Sequence, residues 1–244
     1  MRSFRVELRR ASHRRAYRLT ILVACAISLA AAVKVGLDGP RIDLPGACAD
    51  LTSVIGFGAA FAAAFLGASL VGAESGCGAL ATSLLWEPRR SVVLAAEVVA
   101  GAVAGIALAV VVGTVSGSAL LIAGQLGGAH GTPTVGLLGQ AGRCFAAASV
   151  GGCLGAALAS AAGSTAAVGF GMFGLFMFVE PLLAGWLRWA APWMPMAALD
   201  RFASGQDGFV TTNLTTVGAA LHVGLWAVLA VAIAWLRFRT QEIR

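Results

Sequence analysis

The chain has 244 residues, of which 59% are hydrophobic and only 11% are charged. Soluble domains carry about 25% charged residues, so this composition excludes a soluble globular domain and predicts an integral membrane protein. The net charge of +6 comes from 17 Lys and Arg residues dispersed between apolar blocks, and the absence of an aromatic-interleaved basic patch argues against a nucleic-acid partner.

The first 18 residues carry seven arginines and are predicted to form an interfacial helix on the cytoplasmic membrane surface. Phe4 and Leu8 fall at helical spacing on one side, while Arg5 and Arg9 occupy others, which suits a helix lying on anionic lipid. A basic tail that only sets topology is one alternative. A cleavable signal peptide is another, although the basic lead is long for one.

Six apolar runs follow, each about as long as the 20 residues that a spanning helix needs. The stretch between Arg143 and Glu180 holds no charge and is too long for one span. We therefore expect a turn at "SAAGSTA", residues 160–166, where Gly and Ser weaken a helix. The predicted spans are 19–37, 51–73, 91–115, 137–159, 165–187 and 217–236.

The distribution of basic residues predicts the orientation of these spans. Lys and Arg are enriched in cytoplasmic loops. With six spans, twelve of the 17 basic residues lie on the side that holds both termini, and five lie on the other. We therefore expect both termini in the cytoplasm, which requires an even number of spans.

The outer segment before the last span, 187–213, has the sequence "LRWAAPWMPMAALDRFASGQDGFVTTN". It is too apolar for a solvated loop and too broken for a straight span. We expect interfacial or re-entrant helices anchored at headgroup level by Trp186, Trp189 and Trp193. An ordinary aromatic belt on a loop is the alternative.

Two acidic residues fall at membrane depth, where burying a charge costs at least about 2.5 kcal/mol. Glu97 lies about two helical turns into the third span, and Glu180 precedes Pro181 near the outer end of the fifth. Each could pair with an arginine, contact a substrate or reach the lipid headgroups. We favour the headgroups for both.

Glycine pairs four residues apart occur in the third and fourth spans, Gly101 with Gly105 and Gly151 with Gly155. Such small surfaces let helices approach closely in lipid. We interpret the pairs as packing surfaces within the bundle, with a specific dimer motif as the alternative.

No residue pattern predicts catalysis, a metal or a cofactor in this chain. "GFGMFG", residues 169–174, matches a dinucleotide-binding pattern but lies in an apolar span with no preceding strand. The three His and five Cys residues have no metal-ligand spacing. We therefore expect a protein that is not an enzyme.

The cytoplasmic segment 74–90 has the sequence "ESGCGALATSLLWEPRR", with leucines at helical spacing before a proline and two arginines. This order resembles the permease subunits of type-2 ATP-binding-cassette (ABC) exporters, in which a Glu, a Gly-Thr-like pair, Leu-Leu, Pro and basic residues follow the second span. "VEPLL" at 179–183 and "PWMP" at 192–195 add to the resemblance. The positions concerned in 74–90 are Glu74, Gly78, Leu80, Leu84, Leu85, Pro88, Arg89 and Arg90.

The resemblance implies one all-α transmembrane domain over residues 1–244: six spans, an N-terminal interfacial helix and a re-entrant outer segment. It implies an exporter in a bacterial cytoplasmic membrane. ATP and Mg²⁺ would bind a separate ABC ATPase subunit, and this chain has no P-loop sequence of its own. That subunit would dock on segment 74–90 and on the N-terminal helix, and a second permease copy or homologue would complete the transporter.

In that arrangement the three leucines of segment 74–90 would fill a groove on the ATPase, and Glu74, Arg89 and Arg90 would contact its rim. Two other functions stay open. An ion-coupled secondary transporter would carry paired acids in mid-membrane and broken helices in matching halves. A non-catalytic membrane scaffold would need no motif. The sequence does not identify the substrate.

Overall fold

A computed structural model describes residues 15–37, 44–76, 90–127, 136–187, 189–205 and 213–240. These residues are almost entirely helical and contain no β-strand. They also include a π-helical turn, Leu175–Val179, and a short 3-10 turn, Ala191–Trp193. The helices are α1 (Arg15–Leu37), α2 (Leu44–Gly76), α3 (Arg90–Gly127), α4 (Gly136–Ala162), α5 (Thr165–Gly174), α6 (Glu180–Trp186), α7 (Pro195–Ser204) and α8 (Thr216–Thr240).

Four helical stretches among the described residues are long and apolar enough to cross a membrane: Ser91–Ala119, Gly139–Ala162, Thr165–Trp186 and Thr216–Arg237. A shorter apolar stretch, Gly56–Gly72, lies within α2. The protein is therefore an all-α membrane protein, as the composition predicts. Each of the six predicted runs overlaps a helix, but the count of six spans stays a prediction.

The predicted turn at 160–166 is confirmed. α4 ends at Ala162, and Gly163 adopts a φ of +68°, which glycine tolerates because it has no Cβ. Ser164 then caps α5 by accepting a hydrogen bond from the Ala167 amide at 3.3 Å. The long uncharged run is thus divided into two helices.

α2 and α3 extend beyond the apolar runs that predict them. α2 begins at Leu44 where the sequence predicts a span from residue 51, and α3 continues to Gly127 where the sequence predicts an end at 115. An apolar run marks only the part of a helix inside hydrocarbon. Hydrogen-bonded turns can continue past it into the interface.

α4 packs directly on the backbones of α2 and α3 through its glycines. A Cβ at Gly151 would overlap the carbonyl oxygen of Ala60 on α2, and a Cβ at Gly101 of α3 would lie 2.5 Å from the carbonyl oxygen of Gly152. The other member of each predicted glycine pair is packed in the same way. The interpretation of these pairs as packing surfaces within the bundle is confirmed.

Contacts between the spans define two ends of the bundle. Thr165, the first residue of α5, donates a hydrogen bond to the carbonyl oxygen of Ala68 near the end of α2 (3.3 Å). Leu94, near the start of α3, clusters with Ala234 near the end of α8. We call this end the base. The opposite end, at which α2, α4 and α8 begin, is called the top.

α7 is docked against the top of the bundle. Seven of its ten residues are buried. Its Ala198 and Ala203 cluster with Ala60 of α2, Ala147 of α4 and Val223 of α8. The segment between the last two spans is therefore not a solvated loop, because part of it forms a helix that contacts three others.

Candidate functional site

The predicted ATPase-coupling segment lies mostly outside the described residues. Backbone is described as far as Gly76, at the end of α2, and again from Arg90, at the start of α3. The segment is therefore flanked by two helix ends at the base. Ten residues predicted to contact the ATPase lie outside the described residues: Gly78, Leu80, Leu84, Leu85, Pro88 and Arg89 of this segment, and Phe4, Arg5, Leu8 and Arg9 of the N-terminal segment.

An apolar cavity of about 420 Å³ lies between α1 and α2, with Met177 of the π-helical turn at its edge. Several lining side chains of α1 are exposed, so the cavity opens at the surface of the described part of the bundle. Gly58 contributes space to it, because a Cβ there would meet nothing within 4 Å. The larger lining residues are Leu19, Val23, Ile27, Phe57, Phe61 and Phe65.

Aromatic contacts connect one wall of this cavity to the π-helical turn. The Phe61 ring of α2 packs edge-on against Phe176, with ring centroids 6.0 Å apart, and lies 6.4 Å from Phe173. Such offset and edge-on pairs are the favoured aromatic geometries. The cavity shape therefore depends on how the π-helical turn is packed against α2.

Glu97 does not reach the headgroups, so the expectation for this residue is wrong. Its side chain is only 6% exposed, and Oε2 accepts a 2.6 Å hydrogen bond from the Ser160 hydroxyl of α4. A hydroxyl donor lets the carboxyl group stay inside the bundle, because buried polar groups are tolerated when they are hydrogen-bonded. Glu97 thus joins α3 to α4 near the base.

Glu180 also does not reach the headgroups, and it is still more buried, at 2% exposed. Its carboxyl oxygens accept a hydrogen bond from the Met196 amide, at 3.0 Å to Oε2 and 3.3 Å to Oε1. The Ala197 amide is a second backbone donor to the same group. Glu180 therefore caps the first turn of α7 from another helix, and it joins "VEPLL" to "PWMP".

Two basic residues lie beside the ends of α7. The Arg143 guanidinium of α4 packs against Gly205, where a Cβ would lie 2.7 Å from Nη1. Arg201 of α7 donates from Nε to the carbonyl oxygen of Leu214 at 2.9 Å. Both belong to the minority of basic residues predicted on the outer side. The structure therefore places them together at the top.

Sequence reasoning located both acidic residues but missed their partners. Ser160 and Met196 are distant in sequence from the carboxyl groups they contact, and neither position has a distinctive local pattern. Pro195, which follows "PWM", indicates the start of a helix, because proline is common in the first helical turn. The free amides of such a turn need acceptors, and a nearby carboxyl group such as that of Glu180 can supply them.

No group of three or more His, Cys, Asp or Glu residues that could hold a metal ion occurs in the described part of the chain. The chain matches no family model. A search among curated proteins gives no significant match. The structural features that bear on function are therefore the cavity, the two buried carboxyl groups and α7.

Proposed function

We propose that the protein is the membrane-spanning permease subunit of an ABC exporter, with six spans and both termini in the cytoplasm of a bacterium. In this proposal the base faces the cytoplasm and the top faces outward. ATP would be hydrolysed by a separate subunit bound at the base, and a second permease copy or homologue would complete the transport pathway.

The observation that carries the proposal is the arrangement at the top of the bundle. In the sequence, "VEPLL" and "PWMP" are two weak motifs of the resemblance, 13 residues apart from Val179 to Pro192. In the fold, Glu180 of the first motif binds the amide of Met196, the residue that follows the second. A single contact thus gives both motifs a common structural purpose, which supports the family resemblance.

The distribution of charge supports the proposed orientation. Arg237 and Arg239 are exposed at the end of α8, near the base, while Arg143 and Arg201 make their contacts at the top. Basic residues are favoured on the cytoplasmic side. The helix ends at Gly76 and Arg90 bring both boundaries of the proposed coupling segment to the base.

The cavity between α1 and α2 supports transport of an apolar or amphiphilic molecule. Its lining is almost entirely hydrocarbon and aromatic, and it opens at the surface of the described part of the bundle. A ligand that enters from lipid gains little hydrophobic free energy there, so its fit to the lining and its van der Waals contacts would determine binding. We expect a substrate with an acyl chain or a comparable apolar part.

An ion-coupled transporter receives less support from the buried acids. Such a protein would be expected to hold them together near the middle of the membrane. Glu97 binds α4 near the base, whereas Glu180 binds α7 at the top. The two carboxyl groups therefore belong to different contacts at opposite ends of the bundle.

The first test is whether a neighbouring gene encodes a P-loop ATPase. The chain is then co-expressed with that ATPase, and the complex is purified through a tag on either subunit. We expect the Arg89→Glu, Arg90→Glu double variant to lose the ATPase subunit, because both charges that would contact its rim are reversed. The matched control is Arg237→Glu with Arg239→Glu, which makes the same charge change at the base on α8.

The proposal predicts that the control variant retains the ATPase subunit. Equal retention by both double variants would contradict the assignment of segment 74–90. Failure of the unmodified chain to bind the ATPase would contradict the proposed function itself.

A further inference from the structure

We propose that α6 and α7 form a hinged closure over the top of the bundle, and that Glu180 is the positioning residue that holds this closure shut. The proposal does not depend on the identity of the energy source or of the substrate. Four features of the described residues carry it: the acceptor for the first turn of α7, the hinge beside Glu180, the packing of α7 and a thiol beneath it.

The first turn of α7 has amides that no local residue satisfies. The N-cap, Met194, makes no side-chain hydrogen bond to the helix, and Pro195 has no amide hydrogen to donate. Met196 and Ala197 supply the first available N–H groups, and both interact with the Glu180 carboxyl group. Glu180 thus supplies acceptors for a buried helix end that would otherwise lack them.

The helix changes geometry immediately before Glu180. The turn Leu175–Val179 is π-helical, and the Glu180 amide donates to the Leu175 carbonyl oxygen, five residues back. Pro181 follows and cannot donate to the carbonyl group four residues before it. Proline and π-helical turns are positions at which helices bend. α6 can therefore pivot relative to α5 with Glu180 at the pivot.

α6 has little other attachment to the bundle, whereas α7 is docked. Leu182 is 63% exposed and Trp186 is 86% exposed, so Glu180 is the buried side chain of α6. α7 packs on the bundle through Ala198 and Ala203 and also through the buried side chains of Met196 and Leu199. This apolar packing would remain without Glu180, but the buried amides in the first turn of α7 would lose their acceptors, so the polar contact of Glu180 favours the docked position of α7.

Cys144 of α4 is a native reporter for the docked state. It is 6% exposed. Its Sγ lies 2.6 Å, and the Ala203 Cβ of α7 lies 3.2 Å, from the position that a Cβ on Gly56 would occupy. The thiol and α7 are therefore immediate neighbours at the top, and movement of α7 away from the bundle would uncover the thiol.

The experiment measures the rate at which a membrane-impermeant, charged maleimide labels Cys144 in the full-length protein, reconstituted in vesicles. The other four cysteines are replaced by alanine: Cys25, Cys48, Cys77 and Cys153. Labelling through a local opening follows the population of the open state when closing is fast. We expect slow labelling of the chain that keeps Glu180.

Glu180→Ala is expected to raise the labelling rate about tenfold, which corresponds to about 1.4 kcal/mol in the opening equilibrium. Glu180→Gln is expected to give a smaller rise, because its amide oxygen still accepts one hydrogen bond. Glu97→Ala is the matched control: it removes the other buried carboxyl group, near the base, and should leave the rate unchanged.

An unchanged rate in both Glu180 variants would overturn the proposal, and so would an equal rise in Glu97→Ala, which would indicate general loosening of the bundle. If Glu180→Ala fails to fold, as judged by gel filtration and helical circular dichroism, Glu180→Gln alone decides. A faster labelling rate in Glu180→Gln, with the Glu97→Ala rate unchanged, supports the proposed role of Glu180.

Discussion

The contact between α3 and α4 leads to a quantitative prediction for Gly101→Ala. The new Cβ would lie 2.5 Å from the Gly152 carbonyl oxygen and 2.9 Å from the Ala156 Cβ. A carbon normally approaches a carbonyl oxygen to about 3.3 Å, so the helices must separate by roughly 0.8 Å. A gap of about 0.5–1 Å forfeits a quarter to a half of the dispersion attraction at each contact.

Forcing an extra carbon into a packed core costs about 1–3 kcal/mol. Alanine also favours a helix over glycine by about 1 kcal/mol, which partly offsets that loss. Gly113→Ala isolates the helix term, because a Cβ at Gly113 in the same helix would meet nothing within 4 Å. We therefore expect the Gly101 variant to be about 1–3 kcal/mol less stable than the Gly113 variant.

The assay is thermal unfolding in detergent, followed by tryptophan fluorescence. Each kcal/mol shifts Tm by about 2–4 °C in a chain of this size, so Gly101→Ala should unfold at least about 2 °C below Gly113→Ala. Equal melting temperatures would refute the argument that α3 and α4 are in backbone contact at this position.

Two further predictions concern the buried carboxyl group and the cavity. Ser160→Ala removes the hydroxyl donor to Glu97 and should lower the free energy of unfolding by about 1–3 kcal/mol in the same assay. The control is Ser118→Ala, because that hydroxyl is exposed and bonded within its own helix. The control should change the free energy of unfolding by no more than about 0.5 kcal/mol. Gly58→Leu should fill the cavity and remove most crosslinking of a photoactivatable phospholipid acyl chain to α1 and α2, while Gly113→Leu should not. Equal crosslinking in the two leucine variants would mean that acyl chains do not enter the cavity.

Apolar run length predicts the helices well, because the requirement for internal hydrogen bonding in lipid leaves few alternatives to a helix. The turn at Gly163 is predictable for a related reason: glycine and serine are poor helix residues in the middle of a run. The ends of α2 and α3 are less predictable. Leu44 and Gly127 lie beyond the apolar runs, and hydropathy does not determine where a helix stops outside hydrocarbon.

The environment of a buried acid cannot be derived from its position along the chain. Both Glu97 and Glu180 lie near an end of a predicted span, within reach of the lipid headgroups. The sequence therefore predicts that each carboxyl group contacts the headgroups. Their actual location depends on a serine 63 residues away and on a helix end 16 residues away. Long-range contacts of this kind follow from the three-dimensional packing of helices, which neither periodicity nor composition specifies.

The backbone contacts of α4 also restrict where any solute could pass. At Gly101 and Gly151 the main chains of neighbouring helices are too close to admit even a methyl group, so a hydrated ion has no room between α4 and either α2 or α3 at these levels. A pore along either of these two helix interfaces is therefore blocked at these levels. A solute carried by the proposed transporter would therefore pass outside these two interfaces.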